Sequence, residues 1–312
     1  MRGERVPRIV VLSSFGAELE WLGRRTAVRD LRAGIPEALV RRSRFVVSDV
    51  EALAPRLAAD VRGDPLRERP VLLLDSVGPA NLTADFVRAL RERANVFVGY
   101  GVGTHRAGYL RRGLPSRRLV HLRPSTAFFP IMFRDYREPA RTWKPPARTR
   151  LFCGGRVWRD WGTLKEASTV LGRPIEVVTD LGRVRLGEPG GLVARDRLPF
   201  GGFCRALVRS SVAVIPVLPR RNAGQATLVL AMHLGVPPVA TATAATRECA
   251  RHGRDALLVR PGDPRALAAA VSRLLDRPDE AAALGRRARE TERRLARETE
   301  AALDRLLRRV GA

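Results

Sequence analysis

The sequence has few cysteines and no long apolar run, and both shortages exclude whole classes of protein. No uncharged apolar stretch reaches the length of about 18 residues that a membrane-spanning helix needs, so no span is predicted. Cys153, Cys204 and Cys249 are odd in number and lack CxxC spacing, which argues against a disulfide framework or a zinc site. Residues 1–8 contain several charges, and the apolar run that follows them is too short for a signal peptide. This run predicts a first strand. These features together favour a reduced, cytoplasmic setting.

Lysine and aromatic residues are also scarce, whereas arginine is abundant. The net charge is +25, yet lysine occurs only at Lys144 and Lys165, a skew typical of a GC-rich bacterial coding sequence. Such a charge would suit nucleic acid or an anionic membrane. Aromatic residues make up 5% of the chain and none interleaves with a basic motif, which disfavours nucleic acid. Peripheral contact with the anionic inner face of a membrane stays open as an alternative to a freely cytoplasmic protein.

The first half of the chain alternates short, mostly valine-rich apolar runs with segments long enough to form helices. This alternation predicts a parallel sheet with helices on both faces. The whole chain of 312 residues suits two domains of about 150 residues each. The predicted strands of the first half are residues 8–13, 45–48, 71–75, 95–99 and 119–122.

Loops that follow these strands are candidate ligand sites, because ligands of parallel sheets bind beyond the carboxyl ends of the strands. Gly101 and Gly103 allow close approach of the backbone to a ligand, as does Gly16 in an earlier loop. His105 is interpreted as an acceptor-side polar group or proton relay, or else as a loop histidine that caps a helix. Glu18 is interpreted as a catalytic carboxylate, or else as an acid that complements a helix dipole.

The second half twice repeats the order strand, glycine-containing loop, helix. One strand is expected to lead into Gly154 and Gly155, and a helix is expected from about Thr163. A second strand, residues 212–219, leads through a basic loop to Gly224 and a helix that begins near Gln225. A helix that starts just after a strand presents free N–H groups and the positive end of its dipole, so these loops predict phosphate binding.

The segment GQATLVLAMHLGVPPVAT, followed by Arg247-Glu248 and by ALLVRPGDPRALAAAVSRLLD, resembles group 1 (family 4-like) glycosyltransferases. The resemblance covers roughly residues 150–290 and implies the donor-binding half of the GT-B fold. Arg156 matches the arginine that contacts the nucleotide diphosphate in that family. Arg159 is the expected substitute for the family's lysine, since a guanidinium grips phosphate oxygens in a bidentate manner.

The resemblance also implies where the donor sugar and ribose bind, and here the sequence departs from the family. Two glutamates of the family fall on Asn222 and Leu230, and leucine cannot bind ribose hydroxyls. Asn222 is still expected to hydrogen-bond a sugar. Gln225, Thr227 or Glu248 is the expected replacement at the ribose, unless donor binding is altered or catalysis is lost.

The fold class expected from these observations is α/β, with two doubly wound, Rossmann-like parallel-sheet domains in a GT-B arrangement. Residues 1–140 are predicted as the acceptor-side domain, 141–149 as a linker and 150–290 as the nucleotide-sugar domain. Residues 291–312 are predicted as a C-terminal helix that crosses back to the first domain.

The expected function is glycosyl transfer from a nucleotide-diphosphate-sugar donor to an unidentified acceptor. By the resemblance, transfer retains the anomeric configuration and needs no metal or further cofactor. Two alternatives stay open: a GT-B sugar-nucleotide epimerase, and a catalytically degenerate nucleotide-sugar-binding protein.

Overall fold

The computed structural model describes residues 9–13, 43–45, 71–75, 84–92, 94–126, 143–155, 158–181, 191–218 and 223–309. The chain divides into two compact units. Unit 1 contains the described residues up to Arg123 together with residues 296–309, and unit 2 contains residues 124–126 and 143–295.

Unit 1 is built on a parallel sheet of five described strands in the order β2-β1-β3-β4-β5. Strand β4, which lies between β3 and β5, is buried along its whole length, as expected where helices cover both faces. The elements are β1 (Ile9–Ser13), β2 (Ser43–Phe45), β3 (Val71–Asp75), α1 (Ala84–Glu92), β4 (Val96–Tyr100), α2 (His105–Arg111), a short 3₁₀ helix (Ser116–Arg118) and β5 (Leu119–His121).

Unit 2 is built on a second parallel sheet, in which six described strands follow the order β11-β10-β9-β6-β7-β8. Strands β6, β9 and β10 are buried throughout. The elements are β6 (Leu151–Gly154), α3 (Trp161–Leu171), β7 (Ile175–Val178), β8 (Leu192–Arg195), α4 (Phe200–Val208), β9 (Val212–Ile215), α5 (Gln225–Leu234), β10 (Pro238–Thr241), α6 (Ala244–Cys249), β11 (Leu257–Val259), α7 (Pro264–Asp276) and the first part of α8 (Pro278–Arg309). Residues 296–309 of α8 belong to unit 1.

The order of the second sheet creates a topological switch point between β6 and β9. The chain runs outward from β6 through β7 to β8, then returns to the other side of β6 at β9 and runs through β10 to β11. The loops after β6 and β9 therefore leave the sheet in opposite directions and open a crevice, which is where doubly wound folds bind ligands. The topology places the candidate site at this edge.

The expectation of two doubly wound parallel sheets is confirmed by these strand orders. Residues 141–149, predicted as a linker, belong to unit 2 where the structure describes them. Trp143 is buried in the core of that unit, and its indole Nε1 donates to the carbonyl of Ser210 at 2.7 Å. A buried indole that finds a partner anchors the start of the unit.

Gly235 and Gly285 pack against each other where α8 passes the end of α5. Gly235 has a φ of 76° and ends α5 in the left-handed conformation that favours glycine. A Cβ built on Gly285 would lie 2.1 Å from the carbonyl oxygen of Gly235, so the helix and the backbone approach as closely as glycine permits.

Glu292 joins three parts of unit 2 through one buried carboxylate, which is 1% exposed. Its Oε1 accepts from the backbone N and the Oγ1 of Thr126 at 2.9 and 2.7 Å, and its Oε2 lies 3.2 Å from Nδ1 of His233. Burial raises the pKa of Glu292, but the hydrogen bonds from His233 and Thr126 outweigh it, and the pKa is lowered overall. The carboxylate therefore remains charged in the folded state at neutral pH.

We expect Gly285→Ala to destabilise unit 2 by about 1–3 kcal/mol, because the added methyl group clashes with backbone that has no rotamer to yield. Thermal unfolding is the measurement. Gly162→Ala is the matched control: it lies in α3 with no atom closer than 3.8 Å to a built Cβ, so its effect should be neutral or slightly stabilising. Equal effects of the two substitutions would contradict the packing argument.

We expect Glu292→Gln to lower the free energy of unfolding at pH 7 by roughly 1–3 kcal/mol, through loss of charge-assisted hydrogen bonds. Since the folded pKa is lowered, this contribution is present above the unfolded pKa and disappears as pH falls through the folded pKa. Urea unfolding at neutral and acidic pH should show the deficit shrink in acid.

The control for that series is Glu298→Gln, whose carboxylate is 42% exposed and lies 3.5 Å from Nε of Arg123. An exposed pair of this kind contributes about 0–1 kcal/mol. If Glu292→Gln lowers the free energy of unfolding by the same amount at every pH, the shape of the side chain and not its charge determines the effect of the substitution.

Candidate anion site at the switch point of unit 2

The candidate site is formed by the loops that leave β6 and β9 at the switch point. Gly154 ends β6, and Gly155 follows with a φ of 108°, a conformation that L side chains rarely adopt. Trp158 is exposed and has a φ of 52°, which is uncommon for any residue other than glycine. Its carbonyl accepts from the backbone N of Leu218 at 3.0 Å, which pins this loop to the chain that follows β9.

Arg159 lies at the centre of this crevice and is only 6% exposed. Its backbone forms an isolated antiparallel bridge with Val217, beyond the end of β9. Its Nε and Nη2 donate to the carbonyl of Gly154 at 3.0 and 2.9 Å, and Nη2 also donates to Oγ1 of Thr227 at 2.9 Å. Both of these acceptors are neutral groups, and the contacts fix the orientation of the guanidinium.

Helix α5 begins beside the same guanidinium. Its N-cap is Gly224, with a φ of 82°, and a Cβ there would lie 2.7 Å from Cγ2 of Val217 and 3.8 Å from Nη1 of Arg159. Thr227, in the first turn of α5, is buried and bonds to Arg159. The first turn of a helix has N–H groups without intrahelical acceptors and the positive end of the dipole. A buried guanidinium and a helix N-terminus thus lie together, and this arrangement favours an anion.

Asp160 and Cys153 lie next to this site and have structural roles. Asp160 caps α3: its Oδ1 accepts from the backbone N of Thr163 at 3.0 Å, and its Oδ2 accepts from Oγ1 of Thr163 at 2.7 Å. Burial raises the pKa of the Cys153 thiol to about 12, although the nearby charge of Arg159 acts in the opposite direction. Cys153 is therefore a neutral thiol at pH 7 and packs as an apolar side chain.

Threonine hydroxyls organise the next loop, which follows β10. Thr241 Oγ1 accepts from the backbone N of Val217 at 2.9 Å and so supports the loop that carries the bridge to Arg159. Thr243 and Thr246 form a capping box at the start of α6. Gln225 Nε2 donates to the carbonyl of Ala245 at 3.3 Å, which ties the start of α5 to α6.

The structure brings Arg159, Gly224 and Thr227 together, with Gln225 one residue away in the chain. Glu248 lies half-buried on α6, the helix that Gln225 contacts. Leu230, at the position where the family has a glutamate, is fully buried in the core of unit 2. The predicted donor-site residues Arg156 and Asn222 lie outside the described residues.

The acceptor-side predictions fall in unit 1. Gly101 is buried and Gly103 is half-buried in the turn after β4, and His105 is the half-buried first residue of α2. The backbone N of His105 donates to the carbonyl of Val102 at 2.9 Å. The His121 ring stacks on Tyr100, with ring centroids 5.0 Å apart. Glu18 and Gly16 lie outside the described residues, and the roles assigned to the acceptor-side residues stay predictions.

Sequence reasoning missed the carbonyl of Gly154 and the hydroxyls of Thr241, Thr243 and Thr246 as organising groups. The signal for the threonines was present, since Thr241 ends a buried strand, Thr243 caps the helix that follows and Thr246 lies in the first turn of that helix. Within the described residues, no cluster of three or more His, Cys, Asp or Glu side chains is placed to hold a metal ion. Among the described helices, none combines the length and apolarity that crossing a bilayer requires.

A family model matches part of unit 2. Residues 179–277 match the family model described as Glycosyl transferases group 1. No curated protein sequence matches the chain significantly. The resemblance to group 1 glycosyltransferases is confirmed by the family match.

Solved structures share the fold at low sequence identity. HepE from Anabaena, solved in complex with UDP, aligns with a TM-score of 0.62 at 14% identity, covering 96% of this chain and 99% of its own. A glycosyltransferase from Rickettsia africae aligns with a TM-score of 0.58 at 12% identity over the same shares. Sucrose-phosphate synthase from Thermosynechococcus elongatus aligns with a TM-score of 0.55 at 17% identity, covering 77% of this chain and 68% of its own. Two parallel-sheet units are consistent with the GT-B fold.

We expect Gly155→Ala to weaken the binding of a nucleoside diphosphate by about tenfold to a hundredfold, the range for losing a hydrogen bond to a charged group. The added Cβ would lie 2.4 Å from Nη2 of Arg159 and would displace the guanidinium. Calorimetric titration is the measurement.

Gly172→Ala is the matched control, because Gly172 also has a positive φ, of 59°, but no atom lies within 4 Å of a built Cβ. The control should lose some stability and keep its affinity for the nucleotide. Equal losses of affinity in the two variants would contradict the role given to Arg159.

Proposed function

We propose that this chain, a glycosyltransferase with a group 1 domain over residues 179–277, transfers a sugar from a UDP-sugar donor to an acceptor with retention and without a bound metal. The observation that carries the proposal is the buried guanidinium of Arg159 beside the N-terminus of α5. HepE, which shares the fold, was solved with UDP, with UDP and glucose, and with UDP-glucose.

The chemistry of the leaving group explains why this arrangement suits glycosyl transfer. As the bond between the anomeric carbon and the diphosphate breaks, negative charge develops on the diphosphate oxygens. Preorganised positive groups in a site of low dielectric stabilise that charge most. Arg159 and the α5 dipole supply it without a divalent cation, and this is the physical basis for the proposed metal independence.

Burial makes the charge of Arg159 more effective and also more costly. Removing a cation from water costs on the order of several kcal/mol of desolvation. A bound diphosphate would offset part of this cost, because hydrogen bonds between a guanidinium and phosphate oxygens are short and charge-assisted. Donor binding should therefore stabilise the fold of unit 2.

The proposal is tested by measuring the thermal stability of the purified protein with UDP, GDP, dTDP and ADP and with their sugars. A ligand at a hundred times its Kd stabilises the native state by about 2.7 kcal/mol, which shifts Tm by several degrees. We expect the shift with UDP and UDP-sugars, unchanged by EDTA. No shift with any nucleotide sugar, in a folded protein, would overturn the proposal.

The reaction itself is tested by product analysis with the donor that shifts Tm most. We expect the sugar to appear on an acceptor, or on water in slow hydrolysis, with the donor's anomeric configuration in the first-formed product by NMR. Isomerised donor without transfer would indicate an epimerase instead. Loss of turnover in EDTA would contradict only the metal independence and would leave the proposed glycosyl transfer unaffected.

A further inference from the structure

Unit 1 carries a concentrated basic surface that the proposed donor chemistry does not use. Residues 105–118 contain five arginines and no aspartate or glutamate. We define the basic face as Arg106, Arg111, Arg112 and Arg117 of this segment together with Arg309 at the end of α8.

Arg118, the remaining arginine of this segment, has a structural role instead. It is 3% exposed, and its Nη1 donates to the carbonyl of Leu90 at 2.7 Å, near the C-terminus of α1. A cation is favourable at that end of a helix. In contrast, Arg106, Arg111 and Arg117 are exposed.

Helix α2 presents a mixed apolar and basic side to solvent. Arg106, Ala107, Leu110 and Arg111 are exposed, and they lie on one side of the helix because their spacing is i, i+1, i+4 and i+5. Tyr109 is fully buried on the opposite side. Leu110, 37% exposed, therefore shares the solvent side of α2 with Arg106 and Arg111.

Contacts with neighbouring elements hold the basic face together. Arg106 Nη2 donates to Oγ of Ser116 at 2.7 Å, which joins α2 to the 3₁₀ helix. Arg309 donates to the carbonyl of Arg117, and its guanidinium carbon lies 5.0 Å from the centre of the Phe97 ring. These partners are neutral, so the contacts gather positive charge without offsetting it.

We propose that the basic face docks on an anionic phospholipid bilayer. Like charges gathered on one surface repel one another, and an anionic surface relieves that repulsion. An exposed leucine among arginines suits the boundary between headgroups and acyl chains. Nucleic acid fits less well, because Tyr109, the one Phe, Tyr or Trp of α2, is buried and offers no base a stacking surface.

The position of α2 extends the inference to the acceptor, and this step rests on the proposed function. Helix α2 begins at His105, just beyond the carboxyl end of β4, in the loop predicted to receive the acceptor. A bilayer against α2 would lie beside that loop. The acceptor class that fits is an amphiphile, with a hydroxyl-bearing head group held at the surface by a lipid anchor.

The test is co-sedimentation of the full chain with phosphatidylcholine vesicles that contain or lack phosphatidylglycerol, at low and high salt. We expect binding only to the anionic vesicles, weakened by salt. The triple variant Arg106→Gln, Arg111→Gln, Arg117→Gln should lose about a hundredfold in partition coefficient, from the usual contribution of each basic residue near an anionic surface.

The matched control is Arg150→Gln, Arg173→Gln, Arg209→Gln. These arginines are exposed and precede β6, β7 and β9, at the amino-terminal edge of the unit 2 sheet. The control variant loses the same number of positive charges, and its partition coefficient should stay within a few-fold of the wild-type value. Equal losses in the two variants would overturn the inference, since net charge alone would then explain binding.

Two further outcomes would also overturn the inference. In the first, the wild type does not bind anionic vesicles. In the second, the wild type binds a single-stranded RNA, and the variant with the basic-face substitutions loses the RNA but still binds vesicles, whereas the control variant keeps both. The Tm shift with UDP is measured in parallel in every variant and should be unchanged. Failure of the membrane inference with an intact UDP shift would leave the proposed function standing, whereas loss of the UDP shift in wild type would overturn the proposed function separately.

Discussion

The burial of one positive charge at the switch point of unit 2 is the constraint on which the rest of the site depends. Arg159 is 6% exposed, and the Gly154 carbonyl and the Thr227 hydroxyl accept its N–H groups. A side chain at Gly155 would clash with the guanidinium, and a side chain at Gly224 would clash with Val217. The glycine at 155 is thus a consequence of where the guanidinium lies, and the proposed role of that guanidinium is to bind a diphosphate.

Helix α5 connects this site to the stability of unit 2. Its first turn holds Thr227 against Arg159, its middle is buried on all sides, and its last turn places His233 against the buried carboxylate of Glu292. A helix fixed at both ends cannot reorient without breaking one of these contacts. Its N-terminal N–H groups are therefore preorganised, which lowers the entropic cost of binding an anion.

Much of the fold could be predicted from the sequence, because parallel strands buried on both faces appear as short valine-rich runs. Strand β3 and helix α5 have the predicted bounds, and Gly235 ends α5 as expected. The family pattern predicts that Arg159 binds the diphosphate, and this role stays a prediction. Its burial was not predicted, since no periodicity in the sequence reports a contact with Thr227, 68 residues away. Trp143 was missed for the same reason: a proline-rich stretch indicates a linker, and only the tertiary structure places its indole in the core.

The central claim is that Arg159 binds the diphosphate and not another part of the donor. The most direct test compares the affinities of UDP and uridine for the wild type and for Arg159→Gln by calorimetry. Uridine lacks the phosphates, so the affinity of each protein for uridine shows whether its nucleoside site is correctly folded. The account predicts that UDP loses about tenfold to a hundredfold in affinity, while uridine binding changes by less than about threefold. Equal losses for both ligands, or no loss for UDP, would contradict it.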